Sequence, residues 1–278
     1  MLVMGIGNGS LYDPTVLLFE SVGASFVLQG RKFRIAVNGI KLIKEAVIMR
    51  PGDIPEAVAD GVLDFGICGW DQVAEKQMED SVIKVVELPY GKKTRAAVRV
   101  VVIGKNEKFV DRPDILVAAE YPNIAKKIFK KAKIRRSDGG TEQKLDLGKY
   151  SFGVCVTETG KSIRENGLKI VRVILESPVV LIAQKLTPQI QLLGDLLLGA
   201  LNAEKYLLIK MNVEKRFYGR IINSIPALKS PTVSRLLRGG YAIEAVVKKD
   251  SIADLIILLC RKGATDVLTT DICRFLDC

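Results

Sequence analysis

The sequence predicts an α/β fold with a smaller unit towards its C-terminal end. Two observations carry that expectation: short β-rich apolar runs alternate with helical patterns along most of the chain, and the last stretch orders its elements βαββαβ. A length of 278 residues suits two or three compact domains better than one small core.

Leu2 to Ile6 reads as a strand and Gly7-Asn8-Gly9-Ser10 as a tight loop. A helix is expected from about Asp13-Pro14, with the aspartate capping and the proline in its first turn. Glu45 to Arg50 is a strand, Asp53 caps a helix through Asp60, Gly61 ends it, and Leu63 to Cys68 returns as a strand. Val98 to Ile103 and Ile115 to Ala119 are buried-type strands, followed by a helix from Pro122 to about Ala132. Phe152 to Val156 leads into the turn Glu158-Thr159-Gly160. Leu168 to Leu175 and Val179 to Ala183 are β-rich, and Thr187-Pro188 opens an amphipathic helix over Gln189 to about Glu204. In the tail, Tyr206 to Met211, the helix Glu214 to Asn223, Thr232 to Leu236, Tyr241 to Val247, the helix capped by Asp250-Ser251 and running to Arg261, and Asp266 to Thr269 give the ferredoxin-like order.

Composition excludes several chemistries. There is no histidine, so Ser-His-Asp and Cys-His catalysis, H-E-x-x-H metal sites and histidine general bases are impossible. The five cysteines are scattered without a C-x-x-C pair, which argues against a disulfide framework and a zinc site. No apolar run approaches the roughly 20 residues that span a bilayer. The first residues lack a basic region before a long apolar stretch, so no signal peptide is expected and the expected compartment is the cytosol. A formal charge of +11 suggests an anionic partner. The densest basic stretch, Lys126, Lys127, Lys130, Lys131, Lys133, Arg135 and Arg136, reads as a solvated helix face, and few aromatics interleave it as a single-strand binding surface would require.

Two phosphate motifs fail on inspection. Gly5-Ile6-Gly7-Asn8-Gly9 follows a strand as a dinucleotide loop would, but Ser21 to Lys44 holds no acidic residue to grip a ribose, leaving only an NADP variant that uses Arg31 or Arg34. Gly160-Lys161-Ser162 resembles the end of a P-loop, yet Cys155 stands where its first glycine belongs. What remains is a strand, a Thr-Gly-Lys-Ser turn and a helix start near Ser162, which suits a phosphate and equally suits an ordinary capped turn.

Taken in order, several segments resemble the ATP phosphoribosyltransferase family over nearly the whole chain. The opening Gly5 to Tyr12 is similar to its first strand and loop. Arg50-Pro51-Gly52-Asp53-Ile54-Pro55 with Asp64-Phe65-Gly66-Ile67-Cys68-Gly69-Trp70-Asp71 resembles its R-x-x-D-I-P and D-x-G-I-x-G-x-D block. Glu120-Tyr121-Pro122-Asn123 matches the segment before the basic helix, and Gly140-Thr141-Glu142 its G-x-T-E turn. Thr157-Glu158-Thr159-Gly160-Lys161-Ser162-Ile163-Arg164-Glu165-Asn166-Gly167-Leu168 resembles the loop that grips phosphoribosyl pyrophosphate. Leu228-Lys229-Ser230-Pro231-Thr232-Val233 is similar to the signature of the extra C-terminal domain of the long, feedback-regulated form.

The resemblance implies a bilobed catalytic body like a periplasmic binding protein, with residues 1–90 and 180–206 in one lobe, 91–179 in the other, and a regulatory ferredoxin-like domain over 207–278. It implies transfer of the phosphoribosyl group of phosphoribosyl pyrophosphate to N1 of ATP, which opens histidine biosynthesis, with magnesium required, histidine as feedback inhibitor and a homo-oligomer from dimer to hexamer. Nucleic acid and membrane are not expected partners. On the matching positions, Arg50, Asp71 and Glu158 are the catalytic candidates. Cys155, Glu158, Thr159, Gly160, Lys161 and Ser162 are assigned to phosphoribosyl pyrophosphate. Asn8, Gly9, Ser10, Arg50, Gly69, Glu120 and Glu142 are assigned to ATP, and Leu228, Ser230 and Thr232 to histidine. Magnesium is expected to arrive with the substrate rather than in a protein cage.

The chain departs from the pattern at Cys155, where the family usually carries an aspartate, and at Gly7 and Asn8, which replace the usual proline and, often, lysine. If Cys155 stands in for a ribose-binding carboxylate, Cys155→Asp should lower the Michaelis constant for phosphoribosyl pyrophosphate, because a thiol is a poor acceptor. The rival readings are a catalytically weak regulatory or binding paralogue of the same fold, a bilobed small-molecule binding protein, and a nucleic-acid binder using the basic stretch.

Overall fold

The computed structural model describes residues 1–27, 30, 32–91 and 97–276; Arg31, invoked for an NADP variant, lies outside them. The chain divides into two compact units, Met1–Asp195 and Leu196–Cys278.

The first unit holds two sheets. β1 (Leu2–Gly7), α1 (Tyr12–Ser21), β2 (Ser25–Val27), β3 (Arg34–Asn38), β4 (Ile43–Met49), α2 (Ile54–Ala59), β5 (Phe65–Gly69), α3 (Trp70–Glu75) and β6 (Ile83–Leu88) build the first lobe. β7 (Val98–Gly104), β8 (Leu116–Ala119), α4 (Pro122–Ile128), β9 (Lys133–Arg136), α5 (Thr141–Asp146), β10 (Phe152–Thr157), α6 (Lys161–Glu165) and β11 (Lys169–Ser177) build the second. Pro178 alone separates β11 from β12 (Val179–Ala183), which inserts between β5 and β6 of the first sheet. The strand orders are β2-β3-β4-β1-β5-β12-β6 and β11-β7-β10-β8-β9, so the protein is bilobed and mixed α/β.

Burial explains the strand choices. β12 is buried at every residue, as a strand covered on both faces must be. Along β7, Val100 and Val102 join a cluster with Val117, Val154 and Phe129, while Val101 and Ile103 join the opposite cluster with Leu145, Cys155 and Ile163. Period-two alternation thus sends one strand into two cores. In the first lobe, Ile54 and Val58 of α2 pack with Leu63, Val180 and Ile182.

After α7 (Pro188–Ala203), the second unit contains β13 (Tyr206–Val213), a 3₁₀ turn Lys215–Phe217, α8 (Tyr218–Ile222), β14 (Thr232–Arg235), β15 (Tyr241–Lys248), α9 (Ile252–Arg261) and β16 (Ala264–Asp271). Its all-antiparallel order β14-β15-β13-β16 is ferredoxin-like. The core joins Ile209, Met211, Ile243 and Val247 to Ile221 of α8 and Leu255 and Leu259 of α9. Among the described residues no helix is long and apolar enough to cross a membrane.

Several expectations need correction. The basic stretch is not one helix face: α4 stops at Ile128, and the Asp111 carboxylate accepts the backbone N–H groups of Lys130, Lys131 and Ala132, which ends the helical pattern. Desolvation raises the Asp111 pKa, yet those three donors and the Lys131 charge outweigh it and leave it lowered. Lys133, Arg135 and Arg136 lie on β9, an edge strand whose charges discourage further pairing. Asp13 lies inside α1 with Leu11 at the N-cap, and neither Asp53 nor Ser251 makes a side-chain cap. Arg34 pairs with Glu45 on the neighbouring strand rather than facing a nucleotide loop.

Candidate active site

The site lies where the carboxyl ends of β5, β8 and β10 meet, the position at which open α/β sheets leave a crevice. On the first lobe, Gly69 ends β5 and caps α3, so Asp71 falls in the first turn of a helix, where the peptide dipoles favour a negative charge. Asp71 is only 4% exposed. Its N–H donates to Ser177 Oγ at 2.7 Å, and that hydroxyl donates to Asp71 Oδ1 at 2.5 Å. Gln72 Nε2 donates to Asp71 Oδ2 and, at 3.2 Å, to the Tyr121 hydroxyl. A Cβ at position 69 would overlap Asp71 Oδ1, so glycine is needed there for space.

Burial, foremost, and the neighbouring Asp71 charge push the Tyr121 pKa up, so its hydroxyl keeps its proton. Ser10, Gly69, Asp71, Tyr90, Tyr121 and Val156 line a cavity of about 170 Å³. An adjoining cavity of about 530 Å³ is lined by Arg50, Gln72, Glu75, Glu120, Tyr121 and Arg136 among others. Gln72 and Tyr121 border both cavities. Arg50 is exposed, and among the described residues no carboxylate pairs with it.

On the second lobe, Glu120 leaves the end of β8 and accepts the Thr141 hydroxyl at 2.7 Å. Burial raises its pKa and the Glu142 charge adds to this, against the Thr141 hydrogen bond and Lys144. The turn after β10 is closed on itself: Thr157 Oγ1 accepts the Gly160 N–H at 2.9 Å and Thr159 Oγ1 the Lys161 N–H at 3.3 Å. Gly160 has φ +70°, a left-handed conformation that glycine adopts without strain. α6 begins at Lys161, and Ser162 Oγ donates to Glu142 Oε1 at 3.2 Å.

Ser10, Gly69 and Asp71 are therefore brought together on the smaller cavity, and Arg50 and Glu120 on the larger. Asn8 and Gly9 are exposed on the loop beside them. Glu142 is tied to the Thr159–Ser162 turn, which lines neither cavity but follows Val156, which does. Glu158 is half-buried within that turn.

Cys155 is placed differently from its expected role. It is 2% exposed and packs with Val101, Ile103, Ala118, Leu145 and Ile163, so its thiol is enclosed by apolar side chains. Burial, with the Glu120 and Glu142 charges, pushes that thiol pKa up and keeps it neutral. In the second unit, Leu228 donates its N–H to the Val246 carbonyl, Ser230 is exposed, and Thr232 starts β14 opposite Glu244 on the exposed sheet edge. Among the described residues no three His, Cys, Asp or Glu side chains converge as a metal cage would require.

Sequence reading missed Gln72, Tyr121 as a side chain, Ser177 and Glu75. α3 has six residues, too few for helical periodicity to show which of them face the cleft. Ser177 reaches Asp71 only because the chain returns to the first sheet immediately after it.

Comparison with known proteins gives a consistent picture. The family model described as ATP phosphoribosyltransferase matches residues 50–199, and that of the HisG C-terminal domain matches residues 203–274. An ATP phosphoribosyltransferase of Desulforudis audaxviator is 33% identical with 96% of each chain covered. One of Chlorobaculum parvum is 34% identical over 100% of this chain and 98% of its own. Among solved structures, an ATP phosphoribosyl transferase (HisG:HisZ) complex from Thermotoga maritima matches with a TM-score of 0.56 at 24% identity, over 66% of this chain and 88% of that one, a likeness of fold.

Proposed function

The chain belongs to the ATP phosphoribosyltransferase family, in the long form with the extra C-terminal domain, and we propose that its cleft performs the transfer as follows. The reaction joins C1 of the ribose of phosphoribosyl pyrophosphate to N1 of ATP and releases pyrophosphate, the first step of histidine biosynthesis. The bond to the leaving oxygen breaks as the bond to N1 forms, with positive charge on the ribose and negative charge growing on pyrophosphate. No enzyme nucleophile is needed, in keeping with a chain that has no histidine.

The observation that carries the site assignment is the shared wall: Gln72 and Tyr121 border both the cavity of the buried Asp71 and the cavity of Arg50. A buried carboxylate held in place by Ser177 and Gln72 suits the developing ribose cation, because fixed charge in a water-poor cleft needs no reorganisation. Arg50 suits the triphosphate, with Ser10, Asn8 and Gly9 nearby and Gly69 allowing close approach. The turn from Thr159 to Ser162, with the amide ends of α6, suits the 5′-phosphate, and Glu158 the ribose hydroxyls. Glu142 steadies that turn through Ser162, while Glu120, bonded to Thr141, borders the larger cavity on the ATP side.

Magnesium would fit this donor set as an ion carried by pyrophosphate and water, with Asp71 and Glu120 as the carboxylates of the cleft that would face it. It neutralises the leaving group when bound. The protein's own part is positioning.

In the second unit, Leu228, Ser230 and Thr232 form the histidine contact at and just before the β14 edge, where Thr232 lies opposite Glu244, itself paired with Lys210. The enzyme is then a feedback-regulated cytosolic homo-oligomer. Linkage requires that substrates weaken histidine binding by the factor by which histidine weakens theirs. Titrating histidine against turnover tests this. Inhibition of the wild type that weakens by about tenfold in Ser230→Ala and Thr232→Ala, roughly one lost hydrogen bond, supports the assignment. Unaltered inhibition in both variants moves the histidine site elsewhere.

A further inference from the structure

α3 and α4 belong to different lobes, yet one carboxylate joins them. Glu75, the last residue of α3, accepts the Asn123 N–H on both carboxylate oxygens at 3.0 Å, and its Oε2 also accepts the Ile124 N–H at 3.0 Å. Asn123 Nδ2 returns a hydrogen bond to the Glu75 carbonyl at 2.9 Å. The N-cap residue of α4 is Tyr121, which makes no side-chain cap, so Glu75 supplies from the other lobe the acceptor that the open N–H groups of a helix start require.

Position gives this bond its meaning. Asp71 and Gln72 open the helix that Glu75 closes, and Glu120 and Tyr121 immediately precede the helix that Glu75 caps. Glu75 follows Gln72 by three residues, a rise of about 4.5 Å, so the capping bond lies just under one turn behind the Gln72–Tyr121 contact. The two segments that face each other across the cleft are thus pinned close to the point at which they act.

We infer that Glu75 is a positioning residue for the transfer, fixing Glu120 and Tyr121 of the second lobe against Asp71 and Gln72 of the first. Although it borders the larger cavity, its carboxylate is taken up by the Asn123 and Ile124 N–H groups, and it acts through the register of the two walls. This rests on the assignment of the cleft given above. A neighbouring bridge between the same lobes, Lys127 to Glu79 at 3.0 Å, is exposed and pairs side chains only, which makes Glu79 the natural control.

The test measures turnover, together with calorimetric binding of magnesium phosphoribosyl pyrophosphate, for the wild type, Glu75→Ala, Glu75→Gln and Glu79→Ala, well below their unfolding temperatures. Because the phosphoribosyl loop is built within the second lobe, Glu75→Ala is expected to bind at full stoichiometry with affinity within about twofold of wild type. Its kcat is expected to fall about tenfold, the scale on which a misplaced wall loses rate. Glu75→Gln, whose amide oxygen accepts one N–H, should fall between, and Glu79→Ala should stay within about twofold. A kcat of Glu75→Ala within twofold of wild type overturns the inference. So does a binding stoichiometry that falls in step with kcat, which marks a folding role alone. If Glu75→Ala does not fold, the same comparison is read on Glu75→Gln, where a wild-type kcat overturns it. A wild type that neither binds nor turns over would instead sink the functional assignment.

Discussion

Asp71 lines the cleft on the first lobe, and the turn from Thr157 to Ser162 directly follows Val156, which lines it on the second, but the two are held in different ways. Asp71 is buried, and its carboxylate and N–H are engaged by Ser177 and Gln72 before any substrate arrives. In the turn, Thr159, Lys161 and Ser162 are exposed, and hydrogen bonds join it to its own atoms and, among others, to Arg164, Asn166 and Glu142. The first wall is preorganised by protein contacts. The second offers amides and hydroxyls that a phosphate can complete. On the proposed assignment, Asp71 supplies a fixed charge at the reacting centre and the turn a receptive loop for the 5′-phosphate, which are what a displacement without an enzyme nucleophile needs.

The largest effect should come from the preorganised wall. Asp71→Asn keeps the volume and removes the charge, so kcat should fall by about a hundredfold or more while phosphoribosyl pyrophosphate still binds. A loss of binding with kcat preserved would reverse the roles of the two walls.

Beneath the receptive wall, Cys155→Asp should destabilise the protein by about 3 kcal/mol, the scale for a polar group buried without a partner. The carboxyl would titrate above its unfolded value, so the loss should be small below the usual carboxylate range and grow as pH rises through it. Thermal melts at pH 4 and pH 8 check the sign. A lower Michaelis constant for phosphoribosyl pyrophosphate, with no loss of stability, would instead restore a ribose-binding role to position 155.

Glu120 gives a milder version of the same argument. Its pKa is raised in the folded protein, chiefly by burial, so its contribution to stability is fully present below the unfolded pKa and is lost as pH rises through the folded one. Glu120→Gln should therefore melt higher than wild type at pH 8 and level with it near pH 4. Equal melting points at both pH values would show that Thr141 and Lys144 already compensate the buried charge. The smallest effect on the fold belongs to Lys161→Ala: its ion pair with Glu165 is exposed, so stability should change by less than about 0.5 kcal/mol. The Michaelis constant for phosphoribosyl pyrophosphate should nevertheless rise severalfold. An unchanged constant would remove Lys161 from the phosphate contact.

The same contrast explains what the sequence could reveal. Strands such as β7, β10 and β12 are legible because continuous apolar residues on both faces leave no other fate for them. The Thr-Gly-Lys-Ser turn is legible because local residue chemistry makes it. The Asp71 wall is not local: Ser177 lies 106 residues away and Tyr121 lies 49 from Gln72, so no pattern along the chain marks them. The end of α4 failed for a related reason, since the carboxylate of Asp111 collects the N–H groups of Lys130 to Ala132 from about twenty residues upstream. Cys155 shows the limit of resemblance: the matching position was visible, while the direction of its side chain required the strand's register against β7 and β8.

On the proposed assignment this cleft is a working transferase site despite the neutral thiol of Cys155 close to the Thr157–Ser162 turn. Incubating the protein with ATP, phosphoribosyl pyrophosphate and magnesium, and following the absorbance of the N1-phosphoribosylated product alongside pyrophosphate release, tests it most directly. The account predicts equal amounts of both products, formed catalytically. Tight binding of phosphoribosyl pyrophosphate with no product would contradict it and leave a binding paralogue of the same fold.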